Sequence, residues 1–252
     1  MESFTLTRKD MAAFLSALGG QGHPIEVLQQ AWGRQHQTEM EAGKALPAFL
    51  ATSLPPVLEK WLKGSGFKGF SLQEIAALGQ LIEYSHMPIT SMQNWVKRDF
   101  KEFFASPKLG KKYSLNQAAL LFIIDDLKSN LDFVSIRRLF EIVFMQPEHD
   151  EDDLIEPLEL YALYSGMFEE LDANNDQLLD TAGHETGSRN QDALAEAMLR
   201  TKAETLAGRL TGLSAKQREA VRNVLLIAAV SIQTTYFQAL SRRYFHATVF
   251  LG

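Results

Sequence analysis

The chain has 252 residues, of which 46% are hydrophobic and 22% charged, so it has enough apolar material for one large folded domain or two smaller ones. It contains no cysteine, which excludes disulfides, thiolate metal sites and thiol catalysis. The formal net charge of −6 is unevenly distributed, because residues 86–114 carry six bases and two acids whereas residues 146–190 carry thirteen acids and one base. The basic segment therefore favours a polyanionic partner that the average charge does not.

Neither a signal peptide nor a membrane-spanning segment is expected. The first ten residues have no apolar stretch behind their charges. The longest strongly apolar run, Val224 to Ile232, is far shorter than the roughly 20 residues that span a bilayer. These features predict a soluble, cytoplasmic protein without a membrane partner.

The N-terminal part begins with two predicted helices. Apolar residues between Thr7 and Leu18 recur at helical spacing, and the glycines at 19–20 end that helix. A further helix is expected to begin at Pro55–Pro56, because proline is tolerated in a first helical turn. The glycine-rich residues 64–69 then predict a loop that leads into the next unit.

Residues 66–146 predict a set of helices interrupted by one irregular segment. Ser71 and Glu74 form an S-x-x-E pattern, which is typical of a capped helix N-terminus. In chain order we expect a helix from Ser71, a break at 86–88, a short helix at 89–100, a loop or small β-wing at 103–113, a long helix from Ser114 and an amphipathic helix at 133–145.

The acidic loop at 147–153 is the best candidate domain boundary. It separates an N-terminal part, residues 1–146, from a C-terminal helical part, residues 147–252. Helices are expected in the second part at about 154–171, 188–210 and 215–246, which gives a C-terminal helical bundle. Its aromatic residues are either core residues or candidates for lining an effector pocket, namely Tyr161, Tyr164, Phe168, Tyr236, Phe237, Tyr244 and Phe245.

The order of elements between 66 and 146 resembles the MerR-type winged helix-turn-helix. Ser91–Val96 stands where that family has the core of its recognition helix, and Lys111–Ser114 is similar to the basic end of its wing. The segments 121–124 and 132–140 are similar to the family's following helix pair. The resemblance implies an all-α fold with a small β-wing, double-stranded DNA as partner, a homodimer formed through the C-terminal helices, and an effector of unknown identity.

The short helix at 89–100 is the predicted recognition helix. Met92, Trp95, Val96 and Phe100 are related by spacings of three and four residues (92/95, 92/96 and 96/100). This pattern predicts a buried face and leaves polar residues on the opposite face. Gln and Asn pair with adenine, Arg pairs with guanine, and Lys contacts phosphates. The candidate DNA-contacting residues are Ser91, Gln93, Asn94, Lys97, Arg98, Lys101, Lys108, Lys111 and Lys112.

Two features depart from the MerR-like pattern, and two other functions stay open. Gln93 stands where the family usually has an Arg, and the bulky Phe103–Phe104 replaces part of a short basic loop. Helix-turn-helix units also serve as protein-interaction modules that do not bind DNA. A helical protein that binds a small molecule without DNA is the third alternative.

The chain also resembles a family of uncharacterised bacterial proteins, the YkrK-like group, over about residues 5–145. This resemblance includes the opening segment TLTRKDMAAFL. It implies a shared fold and a role in regulating transcription, without an established ligand or operator.

No catalytic or metal site is expected. The segment from Asp172 to Asp180 is similar to the start of an EF-hand loop, but Gln177 and Gly183 stand where that loop needs Gly and a bidentate Glu. The six histidines are dispersed, and no phosphate-binding loop or nucleophile motif is present in the sequence. We therefore expect a protein that is not an enzyme and holds no cofactor or metal.

Overall fold

The structure is a computed structural model that describes residues 4–42, 49, 54–63, 66–104, 112–145, 152–172, 179 and 191–251. Over these ranges the fold is helical, with two isolated backbone bridges and no longer strand, so the predicted all-α class is confirmed. The helices are α1 (Arg8–Leu18), α2 (Pro24–Gln35), α3 (Gln37–Glu41), α4 (Pro56–Lys63), α5 (Leu72–Gly79), α6 (Ile89–Asn94), α7 (Lys101–Phe104), α8 (Leu115–Leu127), α9 (Phe133–Val143), α10 (Pro157–Leu171), α11 (Gln191–Arg209) and α12 (Ala215–Leu251).

Side-chain caps fix the starts of the helices that carry the core. Ser71 begins α5 with a complete capping box, in which it accepts from the Glu74 amide and Glu74 accepts from the Ser71 amide. Ser114 begins α8 with the same arrangement. Asp132 caps α9 by accepting from the Ser135 amide at 2.7 Å. Each cap satisfies amides that have no partner within the helix, so these boundaries are encoded locally.

Helix α8 lies at the centre of the molecule. Every residue from Gln117 to Leu127 is buried, because α1 from the N-terminal part of the chain and α10 and α12 from the C-terminal part pack against α8. Helix α10 also contacts α1 and α12, and α11 packs on α12. The helices on both sides of the predicted boundary at 147–153 thus share one hydrophobic core, while the boundary itself stays a prediction.

A buried polar cluster ties three of these helices together. Arg8 of α1 donates from Nε to Asp126 Oδ1 at 2.7 Å, and Tyr164 of α10 donates to Asp126 Oδ2 at 2.7 Å. Arg8 also donates to the Glu83 carbonyl at 3.2 Å. Burial lowers the pKa of Arg8, but the Asp126 carboxylate together with Tyr161 and Tyr164 outweighs this effect and raises the pKa, so Arg8 stays charged. The cluster therefore places a compensated ion pair within the core.

Helix α12 has 37 residues and a length of about 55 Å at 1.5 Å per residue. Its first half is packed against the rest of the protein, and Gln238 still donates to the Ser129 carbonyl at 2.9 Å. From Ser241 to Phe250 every residue is exposed. Within the described chain α12 is long and apolar enough to cross a membrane, but core helices of soluble proteins pass the same test and 33% of its most apolar window is buried.

Three sequence predictions concern the irregular segment at 103–113, the EF-hand-like segment and the aromatic residues of α10. Phe103 and Phe104 belong to the short helix α7 and are buried, so the predicted irregular segment begins after them. Residues 105–111, which would form the tip of a wing, and most of the EF-hand-like segment lie outside the described residues. Tyr161 and Tyr164 are fully buried, which favours the alternative in which they are core residues.

Candidate nucleic-acid interface

Helices α5 and α6 pack against each other across a short break. The break brings Met87 onto the end of α5, where a Cβ added to Gly79 would lie 2.5 Å from the Met87 sulfur. A side chain at position 79 would therefore force the Met87 side chain to move. Pro88 then precedes α6 with an extended backbone, as expected for a residue that ends one helix direction and begins another.

The second helix of the pair widens into a π-helical turn, Trp95–Asp99, which directly follows α6. The Phe100 amide donates to the Trp95 carbonyl at 2.9 Å, which closes this wider turn. Phe100 is fully buried and contacts the Phe133 and Phe140 rings of α9, with centroids 5.4 and 5.9 Å away. The turn keeps both Trp95 and Phe100 in the core, although regular α-helical spacing would separate them on the surface of the helix.

The two faces of this helix are arranged as the sequence predicts. Met92, Trp95, Val96 and Phe100 are buried. On the outside, Gln93, Asn94, Lys97, Arg98 and Lys101 are exposed, and Ser91 is half-buried. The structure therefore brings these six candidate residues to one outer surface, which we call the α6 face. Whether they contact DNA stays a prediction.

Ion pairs modify the charge of the α6 face. Arg98 donates to both carboxylate oxygens of Asp99, at 2.8 and 3.3 Å. The hydrogen bonds and charge of Asp99 raise the pKa of Arg98. Nearby, Glu102 lies 3.3 Å from the Arg137 guanidinium of α9. Since these acids partly neutralise their partners, Lys97 and Lys101 carry most of the available positive charge.

Two residues that the sequence analysis did not single out belong to this region. Thr90 is exposed one turn before Asn94 and continues the α6 face. Its position at the start of the predicted recognition helix is the sequence feature that could have identified it. Lys128 lies at the end of α8, with its Nζ 5.2 Å from the Trp95 ring centroid. It also donates to the His86 carbonyl at 2.9 Å, and it therefore braces the break between α5 and α6.

The candidate wing residues are only partly described. Phe70 and Tyr113 exchange two backbone hydrogen bonds, at 2.9 and 2.8 Å, in an antiparallel bridge. Lys112, next to this bridge, is half-buried. Lys108 and Lys111 lie outside the described residues. The bridge joins the residue before the Ser71 cap of α5 to the residue before the Ser114 cap of α8. It is an isolated pair rather than a strand, and the β-wing stays a prediction.

Comparisons with known proteins give a family but no activity. A family model described as a domain of unknown function, DUF1836, matches residues 72–164, which run from α5 into α10. The uncharacterised protein YkrK of Bacillus subtilis (strain 168) is 34% identical over 247 residues, covering 96% of this chain and 97% of YkrK. No solved structure matches the chain at a significant level. The predicted similarity to YkrK-like proteins is confirmed over nearly the whole length, and the chain belongs to this family of unknown function.

Proposed function

We propose that the protein is a cytoplasmic transcription regulator that binds double-stranded DNA through the α6 face. The observation that carries this proposal is the separation of the two faces of one short helix. Met92, Trp95, Val96 and Phe100 are buried, whereas the amides and bases of the same segment are exposed together. A helix of this kind fits the major groove of B-DNA, where outward side chains reach base edges.

The chemistry of the α6 face divides its residues into two roles. Gln93 and Asn94 carry amides that pair with adenine, and they are the proposed base-reading residues. Lys97 and Lys101 supply phosphate contacts, and Arg98 joins them when Asp99 releases it. With the lysines of the 108–112 segment, about six phosphates would be contacted, and the logarithm of affinity would fall with the logarithm of salt at a slope of about −5.

We also infer that two copies associate through α12. Val230, Phe237 and Tyr244 recur every seven residues and are 43%, 47% and 68% exposed. A seven-residue apolar repeat favours pairing of two helices, because it keeps one stripe facing the partner over several turns. A two-fold dimer would present two α6 faces to a palindromic site.

The test is selection of bound fragments from sheared genomic DNA, followed by anisotropy titration of an enriched duplex at two salt concentrations. The Lys97→Ala/Arg98→Ala variant is expected to lose roughly tenfold or more in affinity and to show a shallower salt slope. The matched control is Arg209→Ala/Lys216→Ala, which removes two exposed bases at the turn between α11 and α12.

The control variant is expected to bind like the unmodified protein, because a general loss of charge lowers affinity far less than a loss of contacts. Equal weakening by both double variants would mean that binding follows net charge and not the α6 face. No enrichment and no salt-dependent binding to any duplex would overturn the proposal. The helix pair would then be a protein-interaction module for an acidic partner.

A further inference from the structure

A cavity of about 400 Å³ opens on the N-terminal side of the molecule, between the turn that joins α1 to α2 and helix α4. Its volume is in the range of pockets that hold small organic ligands. Most of its wall is apolar and comes from Leu18, Pro24, Ile25, Leu62, Trp61 and Phe67. We call it the Trp61 cavity.

A polar group at the rim of the cavity favours a ligand with a hydrogen-bond acceptor. The Trp61 indole Nε1–H is shielded from solvent and has no acceptor among the described residues. This N–H therefore lies behind the wall, and a ligand in the cavity would contact the indole through its ring. His23, at the rim, is exposed and makes no side-chain capping bond to α2, which leaves its imidazole available.

The Trp61 cavity is connected to the start of the helix-turn-helix by three aromatic rings. Trp61 and Phe67 contact each other, with ring centroids 5.5 Å apart. Both contact Phe70, at 5.1 and 4.8 Å. Phe70 is the residue whose backbone pairs with Tyr113, directly before the Ser114 cap of α8. A ligand held against Trp61 and Phe67 therefore touches the rings that support this bridge.

A second cleft, of about 610 Å³, shares Leu18, Gly20 and Phe67 with the Trp61 cavity and reaches Ser114 and Leu115. The Phe67 side chain thus lies between the Trp61 cavity and the second cleft, which reaches the N-terminus of α8. Any movement of this ring would change the packing on both sides, because interiors are closely packed.

We propose that the Trp61 cavity binds an apolar ring compound carrying a carbonyl or carboxylate oxygen, and that this ligand stabilises the Phe70–Tyr113 bridge. The regulatory consequence, a changed affinity of the α6 face for DNA, rests on the proposed function. Ligand binding and its effect on the Phe70–Tyr113 bridge do not depend on the proposed function. By linkage, a ligand that changes DNA affinity must itself bind DNA-bound protein with an affinity changed by the same factor.

The probes are 2-naphthoate, indole-3-carboxylate and cyclohexanecarboxylate, titrated by calorimetry into the full chain. We expect at least one of them to bind saturably at one site per chain. Ile25→Asp places a charge at the apolar rim, where Ile25 is 38% exposed, and is expected to weaken binding at least tenfold. Met40→Asp is the matched control, since Met40 is a 55% exposed apolar residue on α3 that does not line the cavity, and it is expected to bind like the unmodified protein.

His23→Phe removes the imidazole N–H at the rim and keeps a ring, and we expect it to weaken binding about two- to tenfold, the effect of one hydrogen bond. Amide hydrogen exchange at Phe70 and Tyr113 is expected to slow when a probe saturates the chain, and to stay unchanged in Ile25→Asp. Absence of saturable binding by all three probes, or equal binding by Ile25→Asp and Met40→Asp, would overturn the proposal.

The DNA readout keeps the two proposals distinguishable. If a probe binds and slows amide exchange at Phe70 and Tyr113 while no DNA duplex binds, the proposed function fails and the ligand-binding proposal for the Trp61 cavity stands. If DNA binds and a saturating probe changes neither the exchange of the bridge nor the DNA affinity, the regulatory inference fails and the proposed function stands.

Discussion

Helices α8 and α12 both contain long apolar segments, yet they occupy different environments. Helix α8 is buried from Gln117 to Leu127 on all sides. Helix α12 is packed through its first half and then extends into solvent, where Phe250 is 86% exposed. Apolar composition thus shows that a helix has apolar surface to bury, but the neighbouring elements decide whether residues of the same chain bury it.

The contrast extends to the polar residues. Helix α8 buries two adjacent carboxylates, which are compensated by partners from other parts of the chain: Asp125 accepts from Ser85 at 2.8 Å and Asp126 pairs with Arg8. The exposed end of α12 carries Arg242 and Arg243, whose charges are hydrated by solvent. Charges within α8 are therefore structural, whereas apolar side chains at the end of α12 are available to another surface.

The largest effect is expected from breaking the ion pair under α8. Asp126→Ala leaves the Arg8 guanidinium buried without its carboxylate, which costs about 3–5 kcal/mol. Chemical denaturation should show the loss in the free energy of unfolding, and the melting temperature should fall by on the order of 10 °C.

The matched variant is Arg8→Met/Asp126→Leu, which removes both charges and keeps apolar volume. It is expected to be more stable than Asp126→Ala, because no unpaired charge is left in the core. If Asp126→Ala were as stable as the unmodified protein, the ion pair would not be buried in solution. The contrast with α12 would then disappear.

A smaller loss is expected from Tyr164→Phe, which deletes only the hydroxyl that donates to Asp126. A hydrogen bond to a charged group contributes about 1.5–3 kcal/mol, so urea unfolding should show a loss of that size. Tyr236→Phe is the control, since Tyr236 is half-buried on α12 and has a ring contact with Tyr84. Equal losses in the two variants would mean that the loss does not come from the bond to Asp126.

The smallest effect on stability, and the largest on assembly, is expected from the end of α12. Phe237→Ser/Tyr244→Ser removes two members of the exposed seven-residue repeat and should change the unfolding free energy of the monomer by no more than about 0.5 kcal/mol. Sedimentation velocity should show a dimer for the unmodified protein and a monomer for this variant.

Val134→Ser/Ile142→Ser provides the control for assembly. Both residues are about half exposed on α9, so the variant removes a similar amount of apolar surface from another place. It should sediment as a dimer. Identical behaviour of both double variants would show that α12 is not the site of association.

Much of the fold can be predicted because its signals are local. The caps at Ser71 and Ser114 are encoded within four residues, and both form complete capping boxes. The buried face of the α6 segment follows from the spacing of Met92 and Trp95, so the outward position of the candidate residues follows from the same periodicity. The family similarity also rests on the sequence and extends over almost all of it.

Other features depend on contacts between residues far apart in the chain. Arg8 and Asp126 are 118 residues apart, and nothing near either one indicates that they pair. The sequence predicts Phe103 and Phe104 in an irregular wing, but contacts with Phe140 and Tyr113 hold them in the core as part of a short helix. The Trp61 cavity likewise forms where two separate segments of the chain meet, so no local pattern predicts it.

The amino-acid sequence by itself determined the helical class, the positions where the main helices start and the polar outer side of the α6 segment. Capping and 3–4 periodicity act within one or two turns, so these features do not depend on the rest of the chain. Only the tertiary structure decided which apolar helix is enclosed, which charges are paired in the core, and where a cavity remains. These outcomes depend on which surfaces pack together, because burial is a property of the neighbours that a residue acquires on folding.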